Sequence, residues 1–447
     1  MTAKVFARLD ARLCPRIPAP LAVAVSGGGD SVALLAMAVD WARLRGRRLL
    51  VLTVDHRLNP ESASWTRRAG DQARALGCAW RSLIWDAPVP GTGLPAAARA
   101  ARHALIAGAA REAGASVILM AHTLDDAVEA DLMRAEGTPI GRVREWSPSP
   151  VWPEGREVQL FRPLLDVARA DLRALLVARG LDWIEDPANA DLRFARARAR
   201  SRLPLPSGGG RIACDPTTGL SLAERSEPPG EGVRGALSPP APLPTGEGIV
   251  AFDRLVDPRA LAATLTCVGG GVRTPSGDQL ERLTRRLHDG GDFHATLCGA
   301  RLSARADVVQ VHREPGDQRR AGLAPLRLEP GVGAIWDGRY EVTADAPGLT
   351  VAAALGRMAS LAPADRAALS ALPAAARGAV PVLIRDGDSR PVLAAPDVRM
   401  RSLVPLRLAG ALDLMPHETD LIAARMAPDA VNAYFEFHTD GRPAGAA

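Results

Sequence analysis

Between Leu21 and Asp126 the chain alternates short apolar runs with longer amphipathic ones. The strand-like runs are Leu21–Val25, Leu49–Asp55, Trp80–Trp85 and Ser116–His122. Helix-like runs, including Val32–Leu44, Pro60–Leu76 and Leu94–Ala113, lie between them. Strands separated by helices pair in parallel, and a parallel sheet buries both of its faces under those helices. The expected fold is therefore α/β, a doubly wound parallel sheet. Such sheets bind ligands beyond the carboxyl ends of their strands. Three polar stretches fall on that edge: Ser26–Ser31, Asp55-His56 and His122–Asp126. Their convergence predicts one active site.

The first of these reads Ser26-Gly27-Gly28-Gly29-Asp30-Ser31, set between a strand and a helix. Glycines let a backbone approach an anion closely, the free amides of the first helical turn point at it, and the helix dipole favours its charge. Asp30, at the lip of the turn, is suited to a magnesium ion bridging phosphates. A tight turn that binds nothing is the plain alternative. The pattern is neither a Walker A loop, which ends in Gly-Lys-Ser/Thr, nor the dinucleotide fingerprint. It resembles the SGGxDS signature of the PP-loop ATP pyrophosphatases, a Rossmann-like superfamily. That resemblance implies ATP held by Ser26, Gly27, Gly28, Gly29, Asp30 and Ser31, with cleavage between the α- and β-phosphates.

Other candidates cluster around the same edge. Asp126 and Glu129, three apart at a helix start, project from one helical face, where they suit an ammonium group or magnesium, or simply cap the helix. Arg99 and Arg102 share a face of an alanine-rich helix and read either as phosphate contacts or as a solvated arginine face. Asp55 and His56 end the second strand and are candidate ATP contacts, with a loop hydrogen bond the plain alternative for His56. His103 and His122 lack metal-ligand spacing. Leu160–Leu165 is expected to open a helix running to about Arg179. Arg193–Arg202 places five arginines in ten residues beside Phe194, a pattern suited to RNA backbone or triphosphate, with an ordinary solvated basic helix as the rival.

Taken in order, the Ser26–Ser31 loop, Ala121–Asp126, Arg162-Pro163-Leu164-Leu165, Glu185–Asn189 and the closing arginines resemble the tRNA(Ile)-lysidine synthase family over about residues 20–202. The resemblance implies ATP-dependent adenylation of the wobble cytidine in a tRNA(Ile) with a CAU anticodon. Free lysine then displaces AMP at C2. It further implies Asp30, Asp126 and Glu129 as catalytic residues, with Asp126 the candidate base and Asp30 the magnesium ligand. Arg99, Arg102, Asn189, Arg196, Arg198 and Arg200 would contact lysine or phosphate. The chain departs from the family pattern at Ala127 and Ala130, where glutamine and threonine are usual, and along Arg134–Thr138.

The chain has 447 residues and 47% hydrophobic content, enough for two or three cored domains. No apolar run approaches the ~20 residues of a membrane span, and the N-terminus lacks a signal-peptide pattern, so a cytoplasmic protein is expected. The cysteines (Cys14, Cys78, Cys214, Cys267, Cys298) form no CxxC pair, which argues against a zinc knuckle, a disulfide framework or a sulfur-inserting thiolase. Basic residues number 55 against 50 acidic ones, a mild excess that alone implies no partner.

Residues 1–202 are read as the catalytic domain. Residues 203–248, with nine prolines and nine glycines, read as a disordered insertion or linker. Residues 249–330 suggest a small helical and hairpin domain, with helices near Asp257–Leu265 and Asp278–Leu287 and strands at Ala295–Leu302 and Asp307–His312. Residues 331–447 suggest a further β-rich domain, making the C-terminal part α+β. By analogy both would contact tRNA. The oligomeric state is left open, with a homodimer the candidate. The rival functions are another PP-loop adenylating enzyme, whether tRNA thiolase or amide-forming synthetase, and a non-catalytic RNA-binding protein.

Overall fold

The computed structural model describes residues 1–86, 93–138, 141–185, 249–388 and 390–426. These fall into two compact units. The first runs to residue 185 and adds Met415–Ile422; the second comprises 249–414 and the residues after 422.

The first unit opens with helix α1 (Thr2–Arg12), followed by β1 (Leu21–Ala24), α2 (Gly29–Arg45), β2 (Leu49–Asp55), α3 (Ser62–Ala75), β3 (Ala79–Ile84), α4 (Leu94–Glu112), β4 (Val117–Leu119) and α5 (Leu124–Ala135). Two short strands, β5 (Trp146–Pro148) and β6 (Gln159–Phe161), and helix α6 (Arg169–Ala178) complete it. The strands form one sheet in the order β3-β2-β1-β4-β6-β5. All neighbours are parallel except β5, which runs antiparallel to β6. The order reverses between β1 and β4, and that switch point opens a crevice at the carboxyl edge.

One expectation is corrected here. Leu160 and Phe161 belong to a strand, and the helix begins only at Arg169. The three-residue strand is too short to show periodicity, yet its parallel register with Val117–Leu119 buries Leu160 and Phe161 completely.

Helix α2 is buried on every side from Ser31 to Val39, which explains its nearly unbroken apolar sequence. Leu34, Leu35, Met37 and Trp41 are wholly enclosed, each contributing about 1.5–3 kcal/mol of burial. The helix stops where Gly46 takes the left-handed conformation at φ 68°. Just beyond, Arg47 inserts its guanidinium into the interior and pairs with Glu418, at 2.7 Å (Nη2–Oε1) and 2.9 Å (Nη1–Oε2). Both side chains are 1% exposed. The segment around Glu418 is thereby part of the N-terminal unit, and Met415 extends the attachment by accepting a hydrogen bond from Trp146 Nε1 at 2.9 Å.

The second unit contains a four-stranded antiparallel sheet, β7 (Val250–Asp253), β8 (Phe293–Leu297), β9 (Ala300–Arg305) and β10 (Val308–Arg313), ordered β7-β10-β9-β8. Helices α7 (Pro258–Val268), α8 (Gly277–His288) and a later one at Val404–Ala411 share its core. The run expected as a single strand over Ala295–Leu302 is instead a hairpin. Cys298 and Gly299 have φ of 53° and 79° and reverse the chain between Leu297 and Ala300. The remaining strands form two three-stranded antiparallel sheets around Trp336, Tyr340 and Val342.

Candidate active site

From β1 the chain turns through Ser26, Gly27 and Gly28 into α2. Gly27 needs to be glycine on two counts: its φ is +86°, and a Cβ there would lie 2.5 Å from Ile184 Cδ1. Ile184 also donates its backbone N–H to the Gly27 carbonyl at 2.9 Å, so the loop rests on the strand-like 183–185 segment. The serines shape the turn from within. Ser31 Oγ donates to the Gly28 carbonyl at 2.8 Å and accepts the Ser26 amide at 3.3 Å. Because the N-cap residue is Gly28, no side chain caps the first amides of α2. A 17-residue helix thus presents uncapped N–H groups and the positive end of its dipole at the sheet's carboxyl edge. That arrangement suits a phosphate.

Asp30 lies in the first turn of the same helix, and beside it gather three carboxylates of α5. Thr123 and Asp126 form a reciprocal capping box: Asp126 Oδ2 accepts the Thr123 amide at 2.9 Å, and the Asp126 amide donates to Thr123 Oγ1 at 3.4 Å. The capping expectation for Asp126 is thus met. Its other oxygen turns to Arg169, the first residue of α6.

Arg169 was invisible to the motif reading, yet it joins the acidic residues. Its Nε donates to Asp30 Oδ2 at 3.0 Å, while its terminal nitrogens lie 3.4 Å from Glu129 Oε1, 3.5 Å from Asp126 Oδ1 and 3.9 Å from Asp125 Oδ1. Its backbone N–H donates to Asp125 Oδ2 at 2.8 Å, which caps α6. Of the guanidinium's contacts with these carboxylates, only the one to Asp30 has ideal hydrogen-bond length; the others act mainly through charge. Burial raises the Asp30 carboxyl above its usual range, and Asp126 and Asp125 add to that, against the pull of Arg169. Burial alone would lower the pKa of Arg169, but Asp126, Asp30 and Asp125 outweigh it and raise it. The available signal was local: a basic side chain in a helix's first turn opposes the dipole unless carboxylates hold it.

A basic group occupies the neighbouring part of the edge. Asp55 is buried at the end of β2 and accepts the Arg57 amide at 2.9 Å. His56, half-buried, meets Trp85 edge-on at 6.0 Å, and burial together with Arg102 lowers its pKa. Arg99 and Arg102, on α4, act on His103 one turn in. Arg162, directly after β6, is pushed down to about 10 by burial and by the charges of Arg99 and Arg144. The edge thus carries a cationic side, near Arg99, Arg102 and Arg162, and an anionic side around Arg169.

His103 is 1% exposed, and neither ring nitrogen has a hydrogen-bond partner among the described residues. Burial first, then Arg102 and Arg99, lowers its pKa to about 2. Its pKa lies near 6.5 in the unfolded chain, so the unfolded state gains a proton as pH falls below 6.5 while the native state stays neutral. Stability is therefore complete above that pH and declines below it. Denaturant melts of wild type between pH 6.5 and 4.5 are expected to fall more steeply than those of His103→Leu, by about 1.4 kcal/mol per pH unit. Parallel curves would show that His103 is protonated in the native state.

Among the described residues no set of three His, Cys, Asp or Glu side chains is arranged to hold a metal ion by itself. The donor chemistry around Asp30 still fits magnesium, which commonly takes one or two carboxylates and completes its shell with substrate phosphates and water. Asn189, Arg196, Arg198 and Arg200 lie outside the described residues. No helix among the described residues is long and apolar enough to cross a membrane.

Comparison with known proteins agrees with this fold. The PP-loop domain family matches residues 1–205. A tRNA(Ile)-lysidine synthase of Caulobacter vibrioides is 46% identical over 425 residues, covering 93% of this chain and 98% of that protein. The enzyme of the same name from Methylobacterium nodulans is 37% identical over 332 residues, 70% of this chain and 96% of its own. That of Brucella anthropi is 34% identical over 338 residues, 71% of this chain and 72% of its own.

Proposed function

The chain belongs to the tRNA(Ile)-lysidine synthase family, and from that premise we propose that it joins free lysine to C2 of the wobble cytidine of a tRNA(Ile) with a CAU anticodon, consuming ATP. The cytidine O2 attacks the α-phosphorus and pyrophosphate leaves. The ε-amine of lysine then attacks C2, the C2–O bond breaks, and AMP departs with the oxygen. The amine's proton passes to a carboxylate.

Each part of the edge supplies one requirement. The uncapped α2 amides and the glycine loop stabilise phosphate charge as it develops, without reorganising. Asp30 would hold magnesium against the phosphates, and the ion would neutralise charge on the leaving pyrophosphate. The anionic side, Asp126 with Glu129, suits the lysine ammonium, and Asp126 is the candidate acceptor for its proton. Arg99 and Arg102, together with Arg162, which the motif reading left without a role, suit the lysine carboxylate or an RNA phosphate. The observation that carries the reading is the juxtaposition, at one switch point, of an uncapped helix terminus and a carboxylate cluster.

Pyrophosphate release and nucleoside analysis on separate tRNA transcripts test it. Lysidine, AMP and pyrophosphate are expected in equal amounts only when the CAU-anticodon tRNA and lysine are both present. Binding of that tRNA with no ATP consumed, or ATP cleavage indifferent to the anticodon, would overturn the proposal.

A further inference from the structure

The acidic residues of this site are all turned toward a cation the chain supplies itself. Asp30 comes from α2, Asp125, Asp126 and Glu129 from α5, and Arg169 from α6, so three elements meet at one guanidinium. The Arg169 side chain is 16% exposed and that of Glu129 2%, so water screens this charge poorly. Four carboxylates so close would repel one another strongly without it. Helix capping does not require the side chain, since the backbone amide of Arg169 alone engages Asp125. The guanidinium is thus a separable feature.

We infer that Arg169 is a positioning residue that acts as a resident counter-cation: it keeps the four carboxylates in place in the nucleotide-free site and excludes free divalent cations from them. Asp30 is then released to a metal ion only when triphosphate oxygens arrive to share the coordination, and Glu129 and Asp126 to an ammonium group that replaces the guanidinium. This order of events favours the ATP-bound metal over free metal and prevents the site from closing on an empty cation. The inference rests on reading this cluster as the cation seat of the proposed reaction.

The test is manganese binding to nucleotide-free protein, followed by the paramagnetic signal of free manganese. Wild type is expected to bind weakly. Arg169→Met, which retains the amide that caps α6, is expected to bind at least about tenfold more tightly, because the competing charge is gone while the oxygens remain. Arg169→Lys should fall between the two, since one ammonium cannot engage as many carboxylates. In turnover, Arg169→Met should show a changed dependence on free magnesium and on lysine, with Arg169→Lys intermediate in both; a merely structural residue would lower the folded fraction without grading these two constants by the charge and reach of the side chain. Manganese affinity in a folded Arg169→Met equal to or below wild type would overturn the inference. Should Arg169→Met fold only in manganese, the inference is upheld; should it fold under no condition, Arg169→Lys with wild-type manganese affinity overturns it. ATP affinity of wild type, measured alongside, separates this failure from that of the functional proposal: loss of nucleotide binding would count against the latter alone.

Discussion

Asp30→Asn is expected to lower the rate of tRNA- and lysine-dependent pyrophosphate release about 10²–10³-fold, the cost of losing one group aimed at charge that develops in the transition state. The substitution changes the shape of the side chain little. It removes the only carboxylate in the first turn of α2, and with it the charge that faces Arg169 Nε at 3.0 Å, while an amide oxygen remains to accept that N–H. The fold should survive. Burial already disfavours the charged form of Asp30, so neutralising it relieves as well as removes an interaction. Single-turnover assays with saturating ATP, paired with a thermal melt, separate the two effects. A variant with wild-type turnover would remove Asp30 from the chemistry, and one that is inactive because it is unfolded would make it structural.

The second large effect concerns stability. Glu418→Ala leaves the Arg47 guanidinium in an interior where it is 1% exposed, with only the Ala19 and Cys14 carbonyls as remaining partners among the described residues. Breaking a buried ion pair on one side costs about 3–5 kcal/mol. For a unit of this size that corresponds to a fall on the order of 10 °C in the first unit's transition. The double variant Arg47→Met with Glu418→Met should recover much of the loss, because no charge is then stranded. Calorimetry reads both. A single variant that melts within a degree or so of wild type would mean that water reaches Arg47 and that the pair contributes little.

What could be read in advance follows from how local each signal is. The loop and α2 were legible because all their requirements lie in one continuous stretch, Leu21–Arg45: an apolar strand, glycines, and a helix apolar all round because it is buried all round. The alternation of strands with helices implied a parallel sheet with the three polar stretches on one edge; that β2, β1 and β4 are neighbours in it is a finding of the structure. The Arg169 cluster was not legible as such. It unites residues 30, 125, 126, 129 and 169, and no spacing rule links an arginine to carboxylates 40 or 139 positions away. The Arg47–Glu418 pair, 371 positions apart, is a stronger instance of the same limit. Strands β5 and β6 have three residues each, too few to reveal a period, and the β8–β9 reversal depends on Cys298 adopting a backbone conformation that its identity does not announce.

The claim on which everything else depends is that the AMP half of ATP is transferred to an RNA base beside the glycine loop and later expelled by an amine. A heavy-oxygen label at C2 of the wobble cytidine follows that transfer directly. With ATP, lysine and the labelled tRNA, mass spectrometry of the products should find the label in AMP, none in pyrophosphate, and lysidine at the labelled position. Label retained in the RNA, or AMP formed without it, would contradict the account.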